Sequence, residues 1–134
     1  MDCASEHLGD TGPDAGASRV AAVDWTCLAH ELDERGWAVL PGLISGEDCD
    51  ALAGLYGDTA AFRSHVVMAR HGFGKGEYRY FSYPLPQLVQ DLRTQLYPRL
   101  APIANAWHAR MGIGVDFPAT HAEFLARCHQ GGQR

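Results

Sequence analysis

The apolar positions settle into a rhythm from Val20 onward. Asp24 can cap a helix on which Trp25, Leu28, Ala29 and Leu32 recur at helical spacing, and Gly36 can stop it. The pattern predicts a first helix over about 24–35. Trp37-Ala-Val-Leu40 is then apolar and β-prone up to Pro41-Gly42, which predicts a short buried strand. Ser45 with Asp48 three positions on resembles a capping box, and Leu52 and Leu55 continue the apolar face of a second helix. Asp58 can cap one further turn reaching Phe62.

Two β-prone runs follow, His65–Ala69 and Glu77–Tyr83, separated by His71-Gly-Phe-Gly-Lys-Gly76. A hairpin is the simplest way to join them. Beyond Pro84 and Pro86, the residues Leu88, Val89, Leu92, Leu96 and Leu100 mark a long amphipathic helix. Pro98 and Pro102 each remove a backbone donor, so a break or kink near Tyr97 is expected, with a second helical stretch to Met111 closed by Gly112. Thr120 and Glu123 open a last helix by capping-box logic, carrying Phe124, Leu125 and Cys128. Residues 1–18, rich in Gly, Asp, Ser and Ala, have almost nothing to bury and read as a disordered tail. The order of elements is α+β, mainly helical, with a short strand and a β-hairpin. That is too few strands for a sheet core of ordinary size.

Composition adds limits. The 134 residues suffice for one domain or part of one, and the 46% hydrophobic content is that of a globular chain. No apolar run approaches the ~20 residues of a membrane span. The start carries Asp2, Glu6, Asp10 and Asp14 without an apolar stretch, which predicts no secretory leader and a cytoplasmic location. Cys3, Cys27, Cys49 and Cys128 are widely spaced with no C-x-x-C pair, and read as reduced thiols. A net charge of -5 argues against a protein that coats nucleic acid generally. The average hides an asymmetry, however. Between Phe62 and Tyr83 stand Arg63, Arg70, Lys75 and Arg79 against the single acid Glu77, together with six of the chain's thirteen aromatic residues.

That basic aromatic stretch is the first candidate for chemistry. In a strand, Tyr78 and Tyr80 face one way while Arg79 and Phe81 face the other. One face could set flat rings beside cations, suiting a base, a phosphate or a carboxylate ligand. The plainer alternative is a hairpin with one aromatic face in the core and its arginines in water. Gly72-x-Gly74-x-Gly76 matches neither phosphate-loop spacing and connects strands, so it is no nucleotide loop. His121-x-Glu123 has the form of part of a facial triad for non-haem iron. Two positions apart on a helix is about 200° of rotation, so the pair cannot share an ion. The capping role for Glu123 is the better account. No G-x-S-x-G elbow or Cys–His arrangement points to a nucleophile.

The segment Gly36-Trp-Ala-Val-Leu-Pro-Gly-Leu-Ile-Ser45 with Glu47-Asp-Cys-Asp50 is similar to the opening of the Fe(II)/2-oxoglutarate-dependent oxygenases of the prolyl-hydroxylase and phytanoyl-hydroxylase kind. Residues 68–86, 96–105 and 121–128 resemble a bacterial subfamily of these enzymes, described both as prolyl-4-hydroxylase-like and as acting on damaged, alkylated nucleic acid. The resemblance implies a dioxygenase that hydroxylates or demethylates a protein or nucleic-acid substrate, with Fe(II) and 2-oxoglutarate as cofactors of the full-length enzyme. It also implies that residues 19–134 are the amino-terminal region of a double-stranded β-helix (jelly-roll) oxygenase domain. The family's His-x-Asp pair, distant His and 2-oxoglutarate arginine have no counterparts in this chain, so it reads as an inactive fragment lacking the barrel core. No catalytic residue and no metal ligand is assigned, and no cofactor is expected to bind these residues alone. Within such an enzyme, the basic aromatic stretch is expected to contribute part of the substrate entrance through Arg70, His71, Lys75, Arg79 and Tyr80. The alternative is a small binding module that uses residues 62–83 for nucleic acid or an anionic ligand. Exposed apolar surface is expected on the helix from Leu88 to Leu100.

Overall fold

A computed structural model describes residues 19–133. The expected tail, 1–18, lies outside them. The chain divides into two compact units, one made of the described residues up to Leu43 together with those from Asp91 onward, the other Ile44–Gln90.

In the first unit, α1 (Trp25–Arg35) starts where Asp24 accepts from the N–H groups of Thr26 and Cys27. It ends at Gly36, whose positive φ of 77° lets its N–H reach the Leu32 carbonyl. The long helix α3 (Gln87–Arg110) crosses from one unit into the other, and Asp33 of α1 ties the two helices together. Asp33 receives two hydrogen bonds from the Arg110 guanidinium, at 2.6 and 3.1 Å, and another from the Trp107 indole N–H. The Arg110 bonds hold the Asp33 carboxyl below its ordinary range and push the guanidinium up. Among the described residues the buried apolar side chains are Val20, Leu28 and Ala101, all in this unit. The core is correspondingly thin.

α3 ends in a Schellman motif at Gly112, with Ile113 N–H bonded to the His108 carbonyl and Gly112 N–H to that of Ala109. The last helix, α4 (His121–Gln130), opens with the expected capping box. Thr120 Oγ1 accepts from the Glu123 N–H, and the Glu123 carboxylate accepts from the Thr120 N–H at 3.1 Å. Between these helices Asn105 clasps Phe117 at both backbone groups, at 3.0 and 2.7 Å, and the Tyr97 hydroxyl donates to the Pro118 carbonyl. The Tyr97 ring stacks on Phe124, which meets Phe117 edge-on, and His108 completes the seam against Phe117.

The second unit begins with α2 (Gly46–Gly54), capped by Ser45, whose Oγ accepts from the Asp48 N–H and donates to the Asp48 carboxylate. Two 3-10 turns follow, the second capped by Asp58 as expected. β1 (Phe62–Val67) and β2 (Glu77–Phe81) pair antiparallel, with His65 opposite Arg79, Ser64 opposite Tyr80 and an irregularity between Phe62 and Ser64.

Three expectations are corrected. Trp37–Leu40 forms no strand: it is irregular, with Trp37 58% and Val39 60% exposed. An extended run needs a neighbour for its backbone groups, and the two strands of the described sheet pair with each other. α3 is not broken at Tyr97 but runs through Pro98 and Pro102. The two prolines lie four apart on an exposed side with Thr94, so water can serve the carbonyls they leave without helical donors. Cys27 is disulfide-bonded, while Cys49 and Cys128 carry free thiols. Spacing along the chain does not encode which thiols meet in space. On α3, Leu100 is exposed, whereas Leu88, Val89, Leu92 and Leu96 are half-covered. No described helix is long and apolar enough to cross a membrane.

Candidate functional site

The hairpin of the second unit gathers the basic and aromatic residues on two faces and a tip. On one face Arg79 is sandwiched rather than solvated: its side chain is 16% exposed, its guanidinium lies 4.5 Å from the Tyr56 ring centre and 5.6 Å from that of Phe62, and it donates to the Tyr56 carbonyl at 2.8 Å. Its Nε is buried with no hydrogen-bond partner. Beside it the Glu77 carboxylate accepts from the Tyr56 hydroxyl at 2.7 Å and lies 2.7 Å from His65 Nε2. The Tyr56 bond, then that of His65, holds the Glu77 carboxyl below its ordinary range, and the same bond pushes the Tyr56 phenol up. Phe62 stacks on Phe81 at 4.8 Å across the two strands. An open cleft of about 290 Å³ is lined by Thr59, Phe62, Arg63, Ser64, His65 and Arg79.

On the opposite face Tyr78 and Tyr80 meet edge-on and stay 43% and 49% exposed. Arg63, at the irregularity of β1, lies over the rings of both Tyr80 and Tyr83. Thus Arg79 and Tyr80 point to opposite faces, as strand alternation requires. Arg70 and His71 sit in the 3-10 turn Met68–His71, and Lys75 in the loop that follows. All three are exposed at the tip. The five residues expected to line one entrance are therefore distributed over both faces and the tip.

Arg63, Tyr78 and Tyr83 on one face and Phe73 at the tip belong to the basic aromatic stretch legible in the sequence, whereas Tyr56 and His65, which join Glu77 on the other face, carry no local signal. Tyr56 and Glu77 are 21 positions apart, and no spacing rule joins them.

Iron chemistry finds no donor set here. Among the described residues no three His, Cys, Asp or Glu side chains come together as metal donors. The Glu123 carboxylate is engaged by Thr120, through its N–H and its hydroxyl. His121 is half-covered rather than exposed, its ring 5.6 Å from that of Tyr97, and burial followed by the nearby Arg93 charge lowers its pKa.

Residues 76–134 match the model of a family described as an oxygenase catalysing oxidative methylation of damaged DNA. Two proteins of Mycobacterium tuberculosis strains, both titled as uncharacterized (MT2286 and Rv2227), are each 40% identical over 53 residues, which is 40% of this chain and 23% of theirs. The chain thus spans about a quarter of the length of these relatives. No solved structure matches. The second strand of the hairpin, α3, the Asn105–Phe117 clasp and α4 all lie in the stretch that is similar to the oxygenase family.

Proposed function

We propose that these 134 residues are the amino-terminal region of a 2-oxoglutarate/Fe(II)-dependent dioxygenase acting on nucleic acid, with the cofactor-binding barrel supplied by chain outside them. The observation that carries this reading is the match of residues 76–134 to an oxygenase family described as acting on damaged DNA. One feature supports the division of labour: Trp37 and Val39 alternate outward on a run without a strand partner among the described residues, as an edge awaiting a sheet would present them. No step through iron is assigned to the described residues. The substrate entrance, on this reading, draws on Arg70, His71 and Lys75 at the hairpin tip and on Arg79 and Tyr80 of β2.

Titration of the purified chain with Fe(II) and 2-oxoglutarate tests it. The expected result is neither tight iron binding nor succinate formation. Stoichiometric iron binding with 2-oxoglutarate turnover by these residues alone overturns the fragment reading. A second reading, a small binding module built on residues 62–83, is favoured by the exposed tyrosines beside Arg63. Salt-sensitive binding of single-stranded DNA, weakened by Arg70→Ala and Arg63→Ala, is its expected mark.

A further inference from the structure

The tip of the hairpin holds the most exposed large apolar side chain among the described residues, Phe73, at 73%. Exposure at a loop apex is ordinary, but the setting of this ring is specific. Phe73 stands between Gly72 and Gly74, which with Gly76 adopt positive φ angles of 72°, 94° and 120°. A side chain added at any of the three would meet nothing within 4 Å, so backbone conformation rather than crowding calls for glycine there. The loop is nonetheless pinned: Met68 N–H bonds to the Gly76 carbonyl at 3.0 Å, and Phe73 N–H to the Met68 carbonyl at 3.2 Å. The ring stacks loosely on His71, 6.4 Å away, and is flanked by exposed Arg70 and Lys75, which form no ion pair among the described residues.

A flat apolar ring held out on a pinned loop near exposed cations complements a surface that is anionic outside and stacked inside. Duplex nucleic acid has that profile, with phosphates at the rim and base faces between them. The geometry points to Phe73 as a wedge that enters the base stack at a weakened step, while Arg70 and Lys75 hold the flanking phosphates. Unstacking costs least at a mismatched or damaged base, so the wedge favours such sites without reading sequence. This assignment rests on the reading of the chain as part of a nucleic-acid oxygenase, and its test is independent of iron.

The test mixes the full 134-residue chain with a short duplex carrying 2-aminopurine in a mismatched pair, a base that brightens when unstacked. The native chain is expected to raise the fluorescence and to bind with a salt dependence that falls by about 1 in slope for each of Arg70→Ala and Lys75→Ala. Phe73→Ala is expected to abolish the fluorescence rise and weaken binding about tenfold, and Phe73→Trp to keep both. An unchanged rise in Phe73→Ala overturns the wedge, as does absence of salt-sensitive binding to the duplex. Phe73-dependent binding to phosphatidylserine vesicles in place of DNA also overturns it. Failure here with no iron binding leaves the oxygenase reading standing, whereas iron binding and turnover by the chain removes the fragment reading without touching the wedge.

Discussion

The aromatic seam around Phe117 and the aromatic hairpin around Tyr80 use the same residue types to opposite ends. In the seam, Tyr97, Phe117, Phe124, His108 and His121 face one another, and their polar atoms or neighbouring backbone groups are tied by Asn105 and the Tyr97 hydroxyl. In the hairpin, Tyr78, Tyr80 and Tyr83 are between 43% and 56% exposed, and their company is cationic. An aromatic residue whose ring and backbone are both engaged is structural. One that is half-exposed beside an arginine, as Tyr80 is beside Arg63, can offer its ring face to a ligand.

The contrast can be broken by mutation, and the largest effect is expected in the seam. Asn105→Ala removes both bonds to the Phe117 backbone and leaves a part-buried N–H and carbonyl without partners, costing about 2–3 kcal/mol in urea unfolding. A cost below about 0.5 kcal/mol would mean that the seam is not what orders the segment before α4. Within the hairpin, Arg79→Ala should cost about 1–2 kcal/mol, because it strips a stacked guanidinium from Tyr56 and Phe62 and a donor from the Tyr56 carbonyl. Arg70→Ala, at the exposed tip, should stay within about 0.5 kcal/mol. Equal costs for the two arginines would erase the distinction between a structural and an available cation.

The smallest effect is a pH dependence. Burial lowers the His121 pKa below the ordinary 6.5, so the unfolded chain binds the proton more readily than the folded one. Stability is therefore full above the unfolded value and declines as pH falls through the lowered folded value. Thermal melts across that window should show the decline, and His121→Phe, which keeps a ring against Tyr97, should flatten it. A profile unchanged by the substitution would show that the seam tolerates the charged imidazole.

What was legible from the sequence was whatever depends on neighbours within about four residues. The caps at Asp24, Ser45, Asp58 and Thr120, the stop at Gly36 and the Schellman glycine Gly112 need only local chemistry, and all appear. The opposite facing of Arg79 and Tyr80 follows from strand alternation alone. Trp37–Leu40 has a strand's local pattern but forms none, because a strand requires a partner that a local pattern cannot supply. That α3 continues through Pro98 and Pro102 rather than breaking depends on whether the freed carbonyls reach water, which spacing along the chain does not state. The start of β1 at Phe62 rests on a contact across the hairpin, Ser82 N–H to the Ala61 carbonyl at 2.8 Å, between residues 21 positions apart. In the site, the Tyr56–Glu77–His65 cluster and the covering of Arg79 are likewise tertiary facts.

One consequence of the layout is spectroscopic. Trp25 donates its indole N–H to the Val20 carbonyl, Trp107 donates to Asp33, and Trp37 stands in solvent, so all three tryptophans report on the unit containing α1. Four of the five tyrosines, at 56, 78, 80 and 83, belong to the other unit, which has no tryptophan. Excitation selective for indole therefore watches one unit while tyrosine absorbance weights the other. Superimposable melts by the two signals would identify one cooperative transition, and separated melts two, without a label or a mutation.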